Sequence, residues 1–194
     1  MPSTADVVRR ARIEDARAIA EVQVASWHAA YRGLMPDAKL DAMTVEAREP
    51  AWQRILTSEG ASTTFVLERE GRVIAFGSFG PSRDEPGLGE VWALYAAPDA
   101  WSTGAGRALL EHGLAFLHER GFASAMLWVL DGNVRAIRFY ERFGFRCEDR
   151  QEKDGLPHRR MRASMGTDRG VDASEASGDE SWVGERGAEP LARR

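Results

Sequence analysis

Pro98-Asp99-Ala100-Trp101-Ser102-Thr103-Gly104-Ala105-Gly106-Arg107-Ala108-Leu109-Leu110 is the stretch on which the reading of this chain turns. The run before it, residues 90–96, is β-rich and reads as a strand. Residues 104–120 then carry Ala108, Leu109, Leu114 and Leu117 at helical spacing, with Gly121 at the C-terminal cap. The junction is therefore strand, small-residue turn, helix. The first turn of a helix presents N–H groups without intrahelical acceptors, and the positive end of the helix dipole. Together these make an anion site. Gly104 and Gly106 remove side chains where a diphosphate would approach the backbone, and Arg107 adds positive charge. Two glycines at this spacing also describe an ordinary turn before a helix, so the stretch does not decide the matter alone. A dinucleotide fingerprint fails because position 109 is Leu, and a Walker loop fails because no Gly-Lys-Ser/Thr is present.

Downstream, the longest apolar stretch, residues 123–130, has strand length, and 125–130 reads as a strand. It leads into Asn133-Val134-Arg135-Ala136-Ile137-Arg138-Phe139-Tyr140-Glu141-Arg142-Phe143-Gly144-Phe145. Taken singly, Asn133 reads as a helix N-cap, Tyr140 and Phe143 as core aromatics, and Gly144 as a helix stop. A helix over 134–142, a strand over 145–150, a turn at Asp154-Gly155 and a last strand over 158–163 follow.

Upstream, residues 7–12 read as a first strand. Glu14 and Asp15 open a helix, which Ile19, Val22, Trp27, Ala30 and Tyr31 continue at helical spacing. Gly33 ends it and Pro36 bars its continuation. Residues 37–43 and 46–56 suit shorter helices, and 64–68 with 72–79 form a hairpin about Glu70-Gly71. The order is β, helices, β, β, β, α, β, α, β, β, with no internal repeat.

The 194 residues suit one domain, and 43% hydrophobic residues supply a core. A net charge of −4 gives no electrostatic case for nucleic acid, and no run of about 18 apolar residues exists to span a membrane. Residues 166–194 carry only Val171, Trp182, Val183 and Leu191 as sizeable apolar side chains and read as a disordered tail. The domain proper is expected over 1–165. Cys147 is the sole cysteine, which fits a reducing cytoplasm and reads as a semi-buried apolar residue. His28, His112, His118 and His158 show no metal-ligand spacing, so no metal is expected.

Taken together, Asn133, Ala136, Tyr140 and Gly144-Phe145 resemble the second signature of the GCN5-related N-acetyltransferase (GNAT) superfamily, and Pro98 to Leu110 resembles its first. One helix and one strand separate them, as in that family. The likeness covers residues 7–165, and Trp27-His28-Ala29-Ala30-Tyr31-Arg32-Gly33-Leu34-Met35-Pro36 looks like the acceptor-side helix and loop of many bacterial members. Trp101 stands where the first signature usually has Gln or Arg.

The resemblance implies an α/β (α+β) fold: a mixed, mostly antiparallel sheet of about seven strands flanked by helices, whose fourth and fifth strands splay apart to admit acetyl-CoA. It implies backbone contacts from Leu94, Tyr95 and Ala96 to the acetyl and pantetheine groups. A diphosphate site from Trp101, Ser102, Thr103, Gly104, Ala105, Gly106 and Arg107 follows, with Asn133 and Ala136 at the pantetheine arm. It implies Tyr140 as the acid for the leaving thiolate, and Glu90 matches a glutamate base of some members. Strand alternation is expected to put Glu90, Trp92 and Leu94 on one face. Trp27, Tyr31, Trp92 and Phe79 are candidates for an apolar acceptor wall, with core packing the favoured reading of Trp27 and Phe79. The expected activity is acetyl transfer to a primary amine of a small molecule or amino acid. A protein lysine or N-terminus as acceptor, or a non-catalytic CoA-sensing module, are the alternatives. Dimerisation is common in the family, and the sequence carries no decisive interface signal.

Overall fold

Every strand and helix read from the sequence is present in the computed structural model, which describes residues 6–165. The expected tail over 166–194 lies outside the described residues. Strand β1 (Val7–Arg10) leads through a 3-10 turn (Ile13–Asp15) to α1 (Ala16–Tyr31), α2 (Asp37–Asp41) and α3 (Val45–Thr57). Then come β2 (Thr63–Arg69), β3 (Arg72–Pro81), β4 (Gly89–Ala96), a 3-10 turn (Pro98–Ala100) and α4 (Ala105–Glu119). The chain closes with β5 (Ser124–Leu130), α5 (Val134–Arg142), β6 (Arg146–Lys153) and β7 (Leu156–Ser164). Among the described residues no helix is long and apolar enough to cross a membrane.

The strands form one sheet in the order β1-β2-β3-β4-β5-β7-β6. All neighbours are antiparallel except β4 and β5, which run parallel and pair only at Gly89↔Ala125 and Glu90↔Met126. Beyond that apex the two strands diverge, giving the split that the sequence led one to expect. Helix α4 lies on one face with Phe79, Val91, Leu94, Ala96, Leu127 and Val129. Helix α1 lies on the other with Phe76, Tyr95 and Leu130. Phe79 is thus core beneath α4 and forms no part of an acceptor wall.

Two expectations are corrected. Cys147 is exposed, because β6 is an edge strand whose register slips between Cys147 and Asp149. Regular alternation along β4 fails, because Phe79 opposes Val91 while Ser78 opposes Ala93, which leaves Trp92 as the extra residue of a β-bulge. Val91, Leu94 and Ala96 therefore share the α4 face, and Glu90 lies with Ala93 and Tyr95 on the α1 face. Glu90 and Leu94 do not share a face.

Candidate active site

The divergence of β4 and β5 frees backbone groups that a continuous sheet would pair. Ala97 N–H donates to the Ile74 carbonyl at 2.8 Å, so the directly opposed pairs Ile74/Ala97 and Phe76/Tyr95 use their backbone groups within the β3–β4 ladder. The alternating residues, Leu94 and Ala96, point theirs toward β5, where the register holds no partner beyond Glu90. The strand thus offers Leu94 and Ala96 to a guest in the split. Tyr95 keeps its backbone in the ladder and puts its side chain into the α1-side core, against Phe76 at 5.3 Å between rings.

At the end of β4 the chain turns sharply into α4. Ser102 and Gly104 have positive φ, 61° and 86°. A Cβ on Gly104 would meet nothing within 4 Å, so backbone conformation rather than crowding calls for glycine there. No side chain caps α4, and its first turn holds no acidic residue. The N–H groups of Ala105, Gly106 and Arg107 are those an anion would meet. The turn is braced from behind: Thr103 Oγ1 donates to the Ala100 carbonyl at 2.8 Å and accepts from Arg69 at 3.2 Å, while Arg72 pairs with Asp99 at 2.7 Å. Trp101 is half-buried, and its indole N–H donates to the Ala96 carbonyl at 3.0 Å. These features fit a diphosphate-bearing ligand with an extended amide arm.

Across the split, Asn133 caps α5 by accepting the Ala136 N–H on Oδ1 at 3.1 Å. Seven residues on, Tyr140 is 1% exposed and packs edge-on against Phe139 and Phe145. Its hydroxyl makes no hydrogen bond to a described residue, and burial pushes the phenol well above its ordinary value of 10.0. It stays protonated, as a proton donor must. Its ring belongs to the same core cluster as Leu94 and Ala96.

The apex of the split is polar on its α1 face. Glu90 is 1% exposed and accepts from the Arg83 backbone N–H at 2.9 Å and from the Arg83 guanidinium at 2.5 Å. The same guanidinium lies 4.4 Å from the Trp92 ring, whose N–H donates to the Pro81 carbonyl at 3.1 Å. Trp27 and Tyr31 are buried in the α1-side core and meet edge-to-face at 5.4 Å. Ser26 Oγ and Trp27 Nε1 are buried there without a hydrogen-bond partner among the described residues.

Several polar contacts around α1 and the β3–β4 loop carried no signal in the sequence. Gln23 Oε1 accepts from Arg48 at 3.0 Å and from Trp52 at 2.8 Å, and desolvation holds the Arg48 guanidinium below the usual arginine pKa. The β3–β4 loop reaches over the sheet. Asp84 accepts the Trp128 N–H at 2.8 Å, and Glu85 pairs with Arg160 and, at 2.7 Å, with Arg162. On the other flank, Leu34 of the α1–α2 loop lies where a Cβ on Gly132 would come within 2.8 Å. His28 faces the Met43 carbonyl at 3.3 Å, and His158 is buried opposite Leu130 on β7. Only tertiary pairing could reveal these partners, since they join residues 15 to more than 70 positions apart. No three His, Cys, Asp or Glu side chains gather to hold a metal among the described residues.

Known proteins bear the same stamp. The profile of the Acetyltransferase (GNAT) family matches residues 23–145. The N-acetyltransferase YuaI of Bacillus subtilis, itself uncharacterized, is 38% identical over 139 residues, covering 70% of this chain and 78% of its own. The mycothiol acetyltransferase of Rhodococcus opacus is 35% identical over 103 residues, but those are 52% of this chain and only 33% of that protein. Among solved structures, the PaiA N-acetyltransferase of Thermoplasma acidophilum superposes with a TM-score of 0.66 over 80% of this chain and 98% of its own, at 20% identity. A split sheet, an uncapped helix behind a left-handed turn, and the matching profile lead to one conclusion: the chain belongs to the acetyltransferase (GNAT) family and is an N-acetyltransferase.

Proposed function

We propose that this enzyme transfers the acetyl group of acetyl-CoA directly to a primary amine of a small molecule or amino acid, in the cytoplasm. The observation that carries the reading is the split between β4 and β5, which presents Leu94 and Ala96 backbone groups and the uncapped start of α4 on one side and Glu90 on the other. The T. acidophilum neighbour was solved with coenzyme A. A small acceptor is favoured because loops reach over the sheet on either side, Asp84 and Glu85 to β5 and β7 and Leu34 to Gly132. The mycothiol acetyltransferase relatives are consistent with small-molecule acceptors. Trp27 Nε1 is a buried donor suited to a polar group on the acceptor.

The thioester brings an already activated acyl group, so no covalent enzyme intermediate is needed. Glu90, directly or through water, takes the proton that the attacking amine must lose. Leu94 and Ala96 hold the donor in line, and the turn from Trp101 to Arg107 anchors its diphosphate. Tyr140, kept neutral by burial, gives its proton to the departing thiolate. A thiol-release screen over small amines, amino acids and peptides tests this. Turnover with a small amine, falling by about 10²-fold or more in Tyr140→Phe, is the expected result. Turnover with peptides alone would move the acceptor to protein. Tight acetyl-CoA binding without turnover on any acceptor would favour a sensor.

A further inference from the structure

Trp101 replaces the polar residue that the first signature usually carries, and its surroundings show what takes over. Its indole N–H is tied to the Ala96 carbonyl, one of the β4 groups that face the split. The other face of the problem lies across the groove. Arg135, in the first turn of α5, places its guanidinium carbon 3.5 Å from the centroid of the Trp101 ring. A flat guanidinium stacked on an indole is held by cation–π attraction, which fixes the Arg135 charge beside the turn into α4. Ala96, Trp101 and Arg135 therefore form a chain of contacts from the end of β4 to the start of α5, across the wide end of the split. The first turn of α5, like that of α4, contains no acidic residue. Arg107 does not duplicate this position, since its guanidinium lies over Phe143 at the other end of α5, 6.0 Å from the ring.

We infer that Arg135 is a phosphate-binding residue for the acyl donor, and that Trp101 is the residue that positions it. The positive charge missing from position 101 of the turn is supplied from the opposite helix, and the tryptophan is its platform. This deepens the proposed function and rests on acetyl-CoA being the donor. The stacked guanidinium would engage the diphosphate or the 3′-phosphate, the only anionic parts of that molecule, through charge-assisted hydrogen bonds.

Calorimetric binding of three ligands to the full chain separates the possibilities: acetyl-CoA, acetyl-3′-dephospho-CoA and S-acetylpantetheine, which lacks phosphate altogether. Arg135→Ala, and Arg135→Gln as a second variant that keeps helix length and polarity, are expected to weaken acetyl-CoA binding roughly tenfold and leave S-acetylpantetheine binding unchanged. If acetyl-3′-dephospho-CoA shows the same loss, the diphosphate is the target. If the loss disappears with it, the 3′-phosphate is. Trp101→Leu should reproduce most of the effect, and the double variant should be no weaker than Arg135→Ala, because one residue acts through the other. Trp101→Arg in the Arg135→Ala background should restore acetyl-CoA affinity. Acetyl-CoA affinity within twofold of the unaltered chain in both Arg135 variants would overturn the inference, and so would an equal loss for acetyl-CoA and S-acetylpantetheine. Failure of the unaltered chain to bind acetyl-CoA at all would instead remove the donor assignment, and the inference with it.

Discussion

Glu90 sits buried with both carboxylate oxygens engaged by Arg83. An acceptor amine, or a water serving it, that reaches Glu90 must therefore share these oxygens with Arg83. Glu90→Gln keeps the shape and the Arg83 backbone contact but removes the base. Its kcat is expected to fall by about 10²-fold with the acetyl-CoA KM little changed. A fall of less than about threefold would assign the base elsewhere. The side of the sheet on which Glu90 stands was not legible from the sequence. Alternation along residues 90–96 put it with Leu94, and the bulge at Trp92 became visible only through pairing with Ser78 and Phe79. Asn133 as a helix cap and Tyr140 as a buried aromatic were legible because both depend on spacing within one helix, which the sequence carries directly. Arg135 was not, since nothing local says that its guanidinium will find Trp101 across the groove.

Helix α4 owes its position to a glycine that the sequence does not mark out. A Cβ on Gly113 would lie 2.0 Å from the Phe79 ring, whose side chain is fully buried. The helix therefore rests directly on β3 at that point, and its N-terminal turn is brought to the edge of the split. Gly113→Ala is expected to destabilise the protein by about 1–3 kcal/mol and to weaken acetyl-CoA binding together with stability, because relief of the clash must shift α4. Denaturant titration with and without acetyl-CoA checks both parts. Unchanged stability would mean that Phe79 simply rotates away. At this scale the sequence was most readable: hydrophobic period and turn residues found every element. The boundaries that moved did so for tertiary reasons. Residues 11 and 12 leave β1 because its pairing with β2 ends at Arg10↔Phe65. Helix α3 runs through Pro50, with Thr44 capping its start by accepting the Ala47 N–H at 3.2 Å.

Across the whole molecule, carboxylates tie distant segments together. Arg9 joins β1 to the start of α1 through Asp15, Arg69 holds Asp6, Arg72 holds Asp99, and Arg160 with Arg162 holds Glu85. Each of these partners keeps its acid below the ordinary carboxylate range by hydrogen bonding and charge. Folded values below unfolded ones mean stability that is present above the unfolded values of 3.8 and 4.5 and is lost as pH falls through the folded ones. The melting temperature should hold nearly level between about pH 8 and 5 and drop below about 4. Asp15→Asn should cost about 1–2 kcal/mol at neutral pH, and the gap to the unaltered chain should narrow as pH falls below 3.8. A constant gap below that pH would assign the loss to packing. The insertion of β7 between β5 and β6 was beyond the sequence, which predicts strands more readily than their neighbours. The sparse seam between β4 and β5 bears on how such a chain is made. Strands β1 to β4 find nearly all their partners among themselves, so a polypeptide emerging N-terminus first can pair them once Ala96 is out. The groove takes shape only once β5 has joined β4 at Gly89 and Glu90, so competence for chemistry waits on residues synthesised well after the first four strands.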